Sequence, residues 1–259
     1  MEENLIREII ARGSRVDGRK FEEYREIKIE RNLISNAEGS AKVCIGDTKV
    51  VAGVKLEPGA PFPDSPNEGV LMVNAEFLPL ASEEFEPGPP REEAIELARV
   101  VDRVIRESKA IPLEELVIAK DLVWKVMIDL VVLDHNGNLI DASCLAAVAA
   151  LKDAKIPKVE LVENRPIVDR EVIAGNVRLT RLPVAVTVCK IGNTLFVDPN
   201  LKEEDALDAR LTVGMFFENE KAKICALQKG GSRGFTPEEI EQALDLAIAK
   251  GKELLGFLS

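Results

Sequence analysis

The sequence has one histidine, His135, and no Cys-X-X-Cys pair. Its four cysteines (Cys44, Cys144, Cys189, Cys225) lie far apart, within or beside apolar runs. The usual ligand clusters of a zinc site are missing, so the thiols are expected to be buried and reduced. His135 sits in the polar turn "LDHNGN", a poor place for the base of a Ser-His-Asp or Cys-His mechanism. No apolar run approaches the roughly 20 residues that span a bilayer. The opening "MEENLIREIIARGSR" has neither the apolar core nor the cleavage site of a signal peptide; a cytoplasmic protein with no membrane partner is expected. Only two glutamines (Gln228, Gln242) occur against 31% charged residues, a lean toward a thermophile. Positive charge is short as well. A formal net charge of -11 repels a polyanion, so contact with nucleic acid requires a local basic patch or a more basic partner.

What is present suits a folded chain of one large or two small domains, since 46% of its 259 residues are hydrophobic. A helix is expected over about 2–12, then strands in "EIKIERN", "SAKVCIGDTKVVAGVKLEP" and "GVLMVNAEFLP". Loops rich in Pro and Gly follow over 57–69 and 82–90. Pro89 and Pro90 open a helix over about 91–108, with Ala94, Leu97, Ala98, Val101, Val104 and Ile105 on its buried face. Asp141 is expected to cap a helix of small residues over 142–154. The second half repeats the plan: "VTVCKIGNTLFV" echoes "AKVCIGDTKVV", with Gly46 and Gly192 as matching turn glycines. Thr236-Pro237-Glu238-Glu239 caps a final helix over about 237–256. The expected class is α+β, with helices packed on mixed or antiparallel sheets. An N-terminal helix and arm (1–25) precede a first domain (26–165) and, across a join near 163–182, a second (180–259).

Two stretches carry chemistry. "EEDALDARLTVGM" puts Glu203, Glu204, Asp205 and Asp208 into six positions after the turn "LFVDPN", as if to hold Mg²⁺ or place a general acid. On the helix over 91–108, Arg99, Arg103 and Arg106 stand at i, i+4 and i+7 and line one face. That face is either a phosphate contact or a solvated surface balanced by Glu96, Asp102 and Glu107, whose pairs would contribute about 0.2–0.5 kcal/mol each. Lys229 and Arg233 in "QKGGSRG" form an anion nest or a plain flexible loop. Arg15 and Arg19 in "RVDGR" are expected to be structural or at a subunit interface.

"RVDGR", "EGSAKVCIGDTKV", "ELARVVDRVIRES", "DASCLAAVAALKDAKIP" and "VDPNLKEEDALDARLTVGM" together resemble the ribonuclease PH family over about 15–250. Within it the chain is most similar to the non-catalytic ribonuclease PH-like subunits of the archaeal exosome. The resemblance implies an RNase PH-type fold, a duplicated βαβ-like unit. Active members degrade RNA from its 3′ end by phosphorolysis, which needs cations for the attacking phosphate and an acid or metal for the leaving oxygen. Aligned on "AALKDAKIP", the phosphate-binding arginine falls on Ile140, after Leu139, and no Arg or Lys occurs between Val126 and Lys152. Glu204-Asp205 match the first part of the acidic motif, but the second aspartate falls on Leu211. Asp208 lies three positions earlier, facing elsewhere. The resemblance thus implies no catalytic residue, no metal and no cofactor. Its implied partners are a catalytic RNase PH-like subunit, alternating three and three in a hexameric ring, RNA-binding cap subunits, and single-stranded RNA along the shared interface at Arg99, Arg103 and Arg106. Arg91 follows "PGPP" where active relatives carry paired basic residues, but Glu92 comes next. Two alternatives stand beside this reading: an active phosphorolytic enzyme using Asp205 and Asp208, and a metal-dependent hydrolase built on the same carboxylates.

Overall fold

The computed structural model describes residues 2–163 and 165–258. Helix α1 (Glu2–Ala11) and an extended arm lead into strands β1 (Ile27–Arg31), β2 (Gly39–Ile45), β3 (Thr48–Gly59) and β4 (Val70–Phe77). Helix α2 (Glu92–Glu107) and a 3₁₀ turn (Leu113–Leu116) precede β5 (Val117–Ala119), β6 (Leu122–Asp134) and α3 (Leu139–Lys152). β7 (Lys155–Val162) and β8 (Arg165–Asn176) form a separate antiparallel ribbon. The second unit holds β9 (Val184–Ile191), β10 (Thr194–Val197), α4 (Leu201–Asp205), β11 (Ala209–Glu218), β12 (Lys221–Gly230) and α5 (Pro237–Leu258).

The first sheet runs β1-β2-β3-β6-β4, with β5 beside β6. Only β4 joins it in parallel, on β6. The second sheet is β10-β9-β11-β12, antiparallel throughout. Alternate residues of the central strands, such as Val50, Ala52, Val54 and Leu56 on β3, are fully buried, the period-two pattern of a sheet with one face on the core. Both units open on a two-residue hairpin turn, with register Ile45↔Thr48 in one and Ile191↔Thr194 in the other. Gly46 (φ 56) and Gly192 (φ 60) take positive φ at the first central position, where glycine costs least. The echo in the sequence is therefore an echo in structure.

Helix α3 joins the halves. It packs on β2 and β3 of one sheet and on β9 of the other. Every residue from Asp141 to Leu151 is buried. Its alanines let the backbones approach closely: a Cβ on Gly39 would stand 2.3 Å from the carbonyl oxygen of Ala150. Helix α1 belongs spatially to the second unit. Ile6 and Ile10 form a small core with Cys189, Ile191, Phe196 and Ala206.

One expectation needs correction. Asp141 is not the cap of α3. The helix begins at Leu139, Asn138 takes the capping position with φ 57, and Asp141 is fully buried inside it. Strand β8 lies within the expected join at 163–182; its mixed pattern "RPIVDREVIAGN" hides the alternation. Glu204 and Asp205 lie in the short helix α4. Of the cysteines, Cys144 and Cys189 are buried, Cys44 and Cys225 half-buried, and all four are free thiols.

Candidate nucleic-acid interface

Helix α2 starts with Glu92 and Glu93 in its first turn, where carboxylates suit the positive end of the helix dipole. It stops at Ser108, whose hydroxyl donates to the Ile105 carbonyl at 2.9 Å. Its apolar face packs on β4, α3 and β12, leaving Arg99, Arg103 and Arg106 exposed on the other side.

The three arginines are not equivalent. Arg106 is held by Asp102 through two hydrogen bonds, Nε at 2.9 Å and Nη2 at 2.7 Å, and Nη2 also donates to the Leu71 carbonyl at 2.9 Å. Arg103 makes one long bond to the Leu227 carbonyl, 3.4 Å. Arg99 has no hydrogen bond or ion pair among the described residues. Glu96, spaced to neutralise it, instead accepts from Arg210 Nη2 at 2.8 Å and Gln228 Nε2 at 3.0 Å. Arg99 and Arg103 thus form a ridge between two clefts. One of about 340 Å³ lies toward β12 and includes Gln228; the other, about 270 Å³, lies toward β4 and includes Val73 and Arg106.

The acidic stretch is dispersed. Glu203 is buried and paired with buried Arg15 (Nη2 to Oε2, 2.6 Å), and it closes a capping box with Asn200 at the start of α4. Glu204 turns toward α3 and accepts the Asn138 N–H at 2.9 Å. Burial pushes its carboxyl above the usual range despite that bond. Asp208 accepts from Gly192 N–H at 2.7 Å and pairs with Arg7 at 2.9 Å and Arg233 at 3.3 Å. Burial alone would raise the Asp208 carboxyl, but these partners outweigh it and hold it below the usual range. Asp205 stands exposed at the end of α4. Among the described residues, no three His, Cys, Asp or Glu side chains gather as metal ligands would.

At the positions where the resemblance asks for an aspartate and an arginine, the chain is apolar and packed. Leu211 is 7% exposed on β11, and half-buried Ile140 packs on the core from the first turn of α3. The remaining candidates are exposed but engaged by neighbours. Arg91 pairs with Glu86, and Lys229 donates to the Gly231 carbonyl at 2.6 Å while Arg233 faces Asp208.

Sequence reasoning missed the polar knot that holds arm, α3 and second unit together. Buried Asp198 accepts from Arg19, from Arg25 and from Asn138 Nδ2 at 2.7–2.9 Å. Burial opposes its charge, but the two arginines overcome this and its carboxyl lies below the usual range. Asp141 accepts from Tyr24 Oη at 2.7 Å and from Thr187 on β9, with the N–H at 3.1 Å and Oγ1 at 2.8 Å. Burial raises it to about 6. The "VDPN" turn signalled only a bend; nothing local in it announces three partners from distant segments.

Two related α+β units sharing one buried helix define the RNase PH-type fold. The chain belongs to the 3′ exoribonuclease family: the model of its domain 1 matches residues 23–157 and that of its domain 2 residues 181–250. It is 49% identical over 255 residues to the exosome complex component Rrp42 of Thermococcus kodakarensis, covering 98% of this chain and 92% of that one. A chain of the Archaeoglobus fulgidus exosome solved with RNA bound to the active site superposes with a TM-score of 0.90 at 42% identity, covering 100% of this chain and 98% of the other. A chain of an archaeal exosome core gives 0.84 at 39%, with 98% and 94% covered.

Proposed function

We propose that the chain is a non-catalytic, structural and RNA-binding subunit of an archaeal exosome, a 3′–5′ phosphorolytic RNA-degrading complex of the cytoplasm. It alternates with a catalytic RNase PH-like subunit, three of each, in a hexameric ring on which RNA-binding cap subunits dock. The observation that carries the lack of catalysis is the pair Leu211 and Ile140. A core-packed leucine cannot protonate a leaving oxygen, and a branched aliphatic cannot hold phosphate. Unpaired Arg99 and Arg103 support a role in guiding single-stranded RNA by backbone contacts that do not read sequence. Arg106, tied to Asp102 and the Leu71 carbonyl, braces the ridge.

The test is RNA decay with phosphate present, using the chain alone, with its catalytic partner, and with the partner plus Arg99→Glu/Arg103→Glu. No decay is expected alone, decay with the partner, and slower decay with weaker RNA binding for the double variant. Release of nucleoside diphosphates by the purified chain alone would overturn the reading in favour of a phosphorolytic enzyme. Metal-dependent cleavage without phosphate would favour a hydrolase.

A further inference from the structure

Glu96, the acid best spaced to pair with Arg99, is bound by the second unit. Glu96 lies three residues before Arg99, on the same side of α2, a spacing at which glutamate and arginine ordinarily pair. Both its oxygens are engaged elsewhere: Oε2 accepts from Arg210 at 2.8 Å and Oε1 from Gln228 at 3.0 Å. Arg210 is on β11 and Gln228 on its neighbour β12, so one sheet supplies both donors. The path is shaped for this contact. Arg210 stands opposite Gly230, and a Cβ there would come within 2.7 Å of its guanidinium carbon. Gly230 thus leaves room for the Arg210 side chain to cross the edge strand to α2 along this path. Of the other nearby acids on the helix, Asp102 is held by Arg106, and Glu107, four residues after Arg103, makes no hydrogen bond or ion pair with it.

We infer that Arg210 and Gln228 are positioning residues: they hold Glu96 away from Arg99 and Arg103, so that both guanidiniums are available to RNA phosphates. An unpaired cation releases bound counterions when it meets a phosphate, whereas one already paired with a carboxylate gains far less. The second unit, which keeps no catalytic acid on β11, thereby tunes the RNA-binding helix of the first.

The inference rests on the ridge contacting RNA, and the experiment separates the two. The full chain is assembled with its catalytic partner, without phosphate, and titrated with a labelled 20-nucleotide poly(A) over a range of salt. Arg210→Met/Gln228→Met, which releases Glu96, is expected to weaken binding roughly three- to tenfold and to make the salt dependence shallower by about one phosphate contact. Adding Glu96→Gln to that variant is expected to restore both, which a merely structural role for Arg210 would not allow. Should the release variant fail to fold, Gln228→Met alone, at the exposed edge strand, is expected to show the same effect more weakly, again reversed by Glu96→Gln. Wild-type affinity in the release variants, or weakness that Glu96→Gln does not relieve, would overturn the inference. Unchanged binding in Arg99→Glu/Arg103→Glu would instead overturn the RNA-contact reading beneath it.

Discussion

At the scale of single residues, a few buried charges are the most sensitive to losing a partner. The Arg15–Glu203 pair has no solvent exposure on either side chain. Replacing such a pair by apolar groups is often harmless, but removing one partner leaves a buried charge without compensation. Arg15→Met is therefore expected to cost about 3–5 kcal/mol, read as a lowered denaturation midpoint. Arg12→Met, which breaks an exposed pair with Glu8, is expected to change stability by less than about 0.5 kcal/mol. Asp141 makes a prediction of the opposite sign to ordinary acid denaturation. Its carboxyl titrates near 6 when folded, above the usual 3.8, so the folded state holds the proton more tightly than the unfolded one. Its contribution is fully present below pH 4 and is lost as pH rises through about 6. At about 1.4 kcal/mol per pH unit, the unfolding free energy of the wild type should fall by roughly 3 kcal/mol relative to Asp141→Asn between pH 3.5 and 7. A flat difference across that range would refute this.

At the scale of elements, α3 shows what close packing demands. The carbonyl of Ala150 lies where a Cβ on Gly39 would have to go, 2.3 Å away, and backbone cannot step aside as a flexible side chain can. Gly39→Ala is expected to destabilise the protein by about 1–3 kcal/mol, the usual cost of overpacking, with Gly53→Ala as the control, because nothing lies within 4 Å of a Cβ there. The same helix marks the limit of reading elements from sequence. α2 was legible because Pro89 and Pro90 mark its start and its apolar residues recur at helical spacing. The start of α3 was not. Cap rules weigh the residue type at one position, and Asp141 satisfies them, but the N–H of Asn138 is met by Glu204, 66 residues away. The arginine ridge was likewise legible as a spacing. Which of its arginines is already engaged depends on Asp102, which stays local, and on Glu96, which crosses to another sheet. That Ile140 and Leu211 are apolar is read straight from the sequence; that an arginine and an aspartate are expected there came only from the family resemblance.

At the scale of the whole molecule, two guanidiniums act against a net charge of -11. Such a field disfavours the approach of any polyanion. The chain alone is expected to bind single-stranded RNA no tighter than the weak, non-specific range of about 1–100 μM at physiological salt. Assembly with the catalytic partner should bring tighter binding, measured by the same titration. Tight binding by the isolated chain would mean that a stronger basic surface exists elsewhere.

The clamp between Arg15 and Glu203 also has a dimension in time. Its halves are 188 residues apart, and a ribosome adding about 5–20 residues per second separates their appearance by on the order of 10–40 s. The arm is thus held in place only after residue 203 has appeared. Throughout that interval Ile6, Ile10 and the arm's arginines wait for a surface not yet translated. A nascent chain stalled before residue 200 should leave the arm open to protease, and one released at full length should protect it.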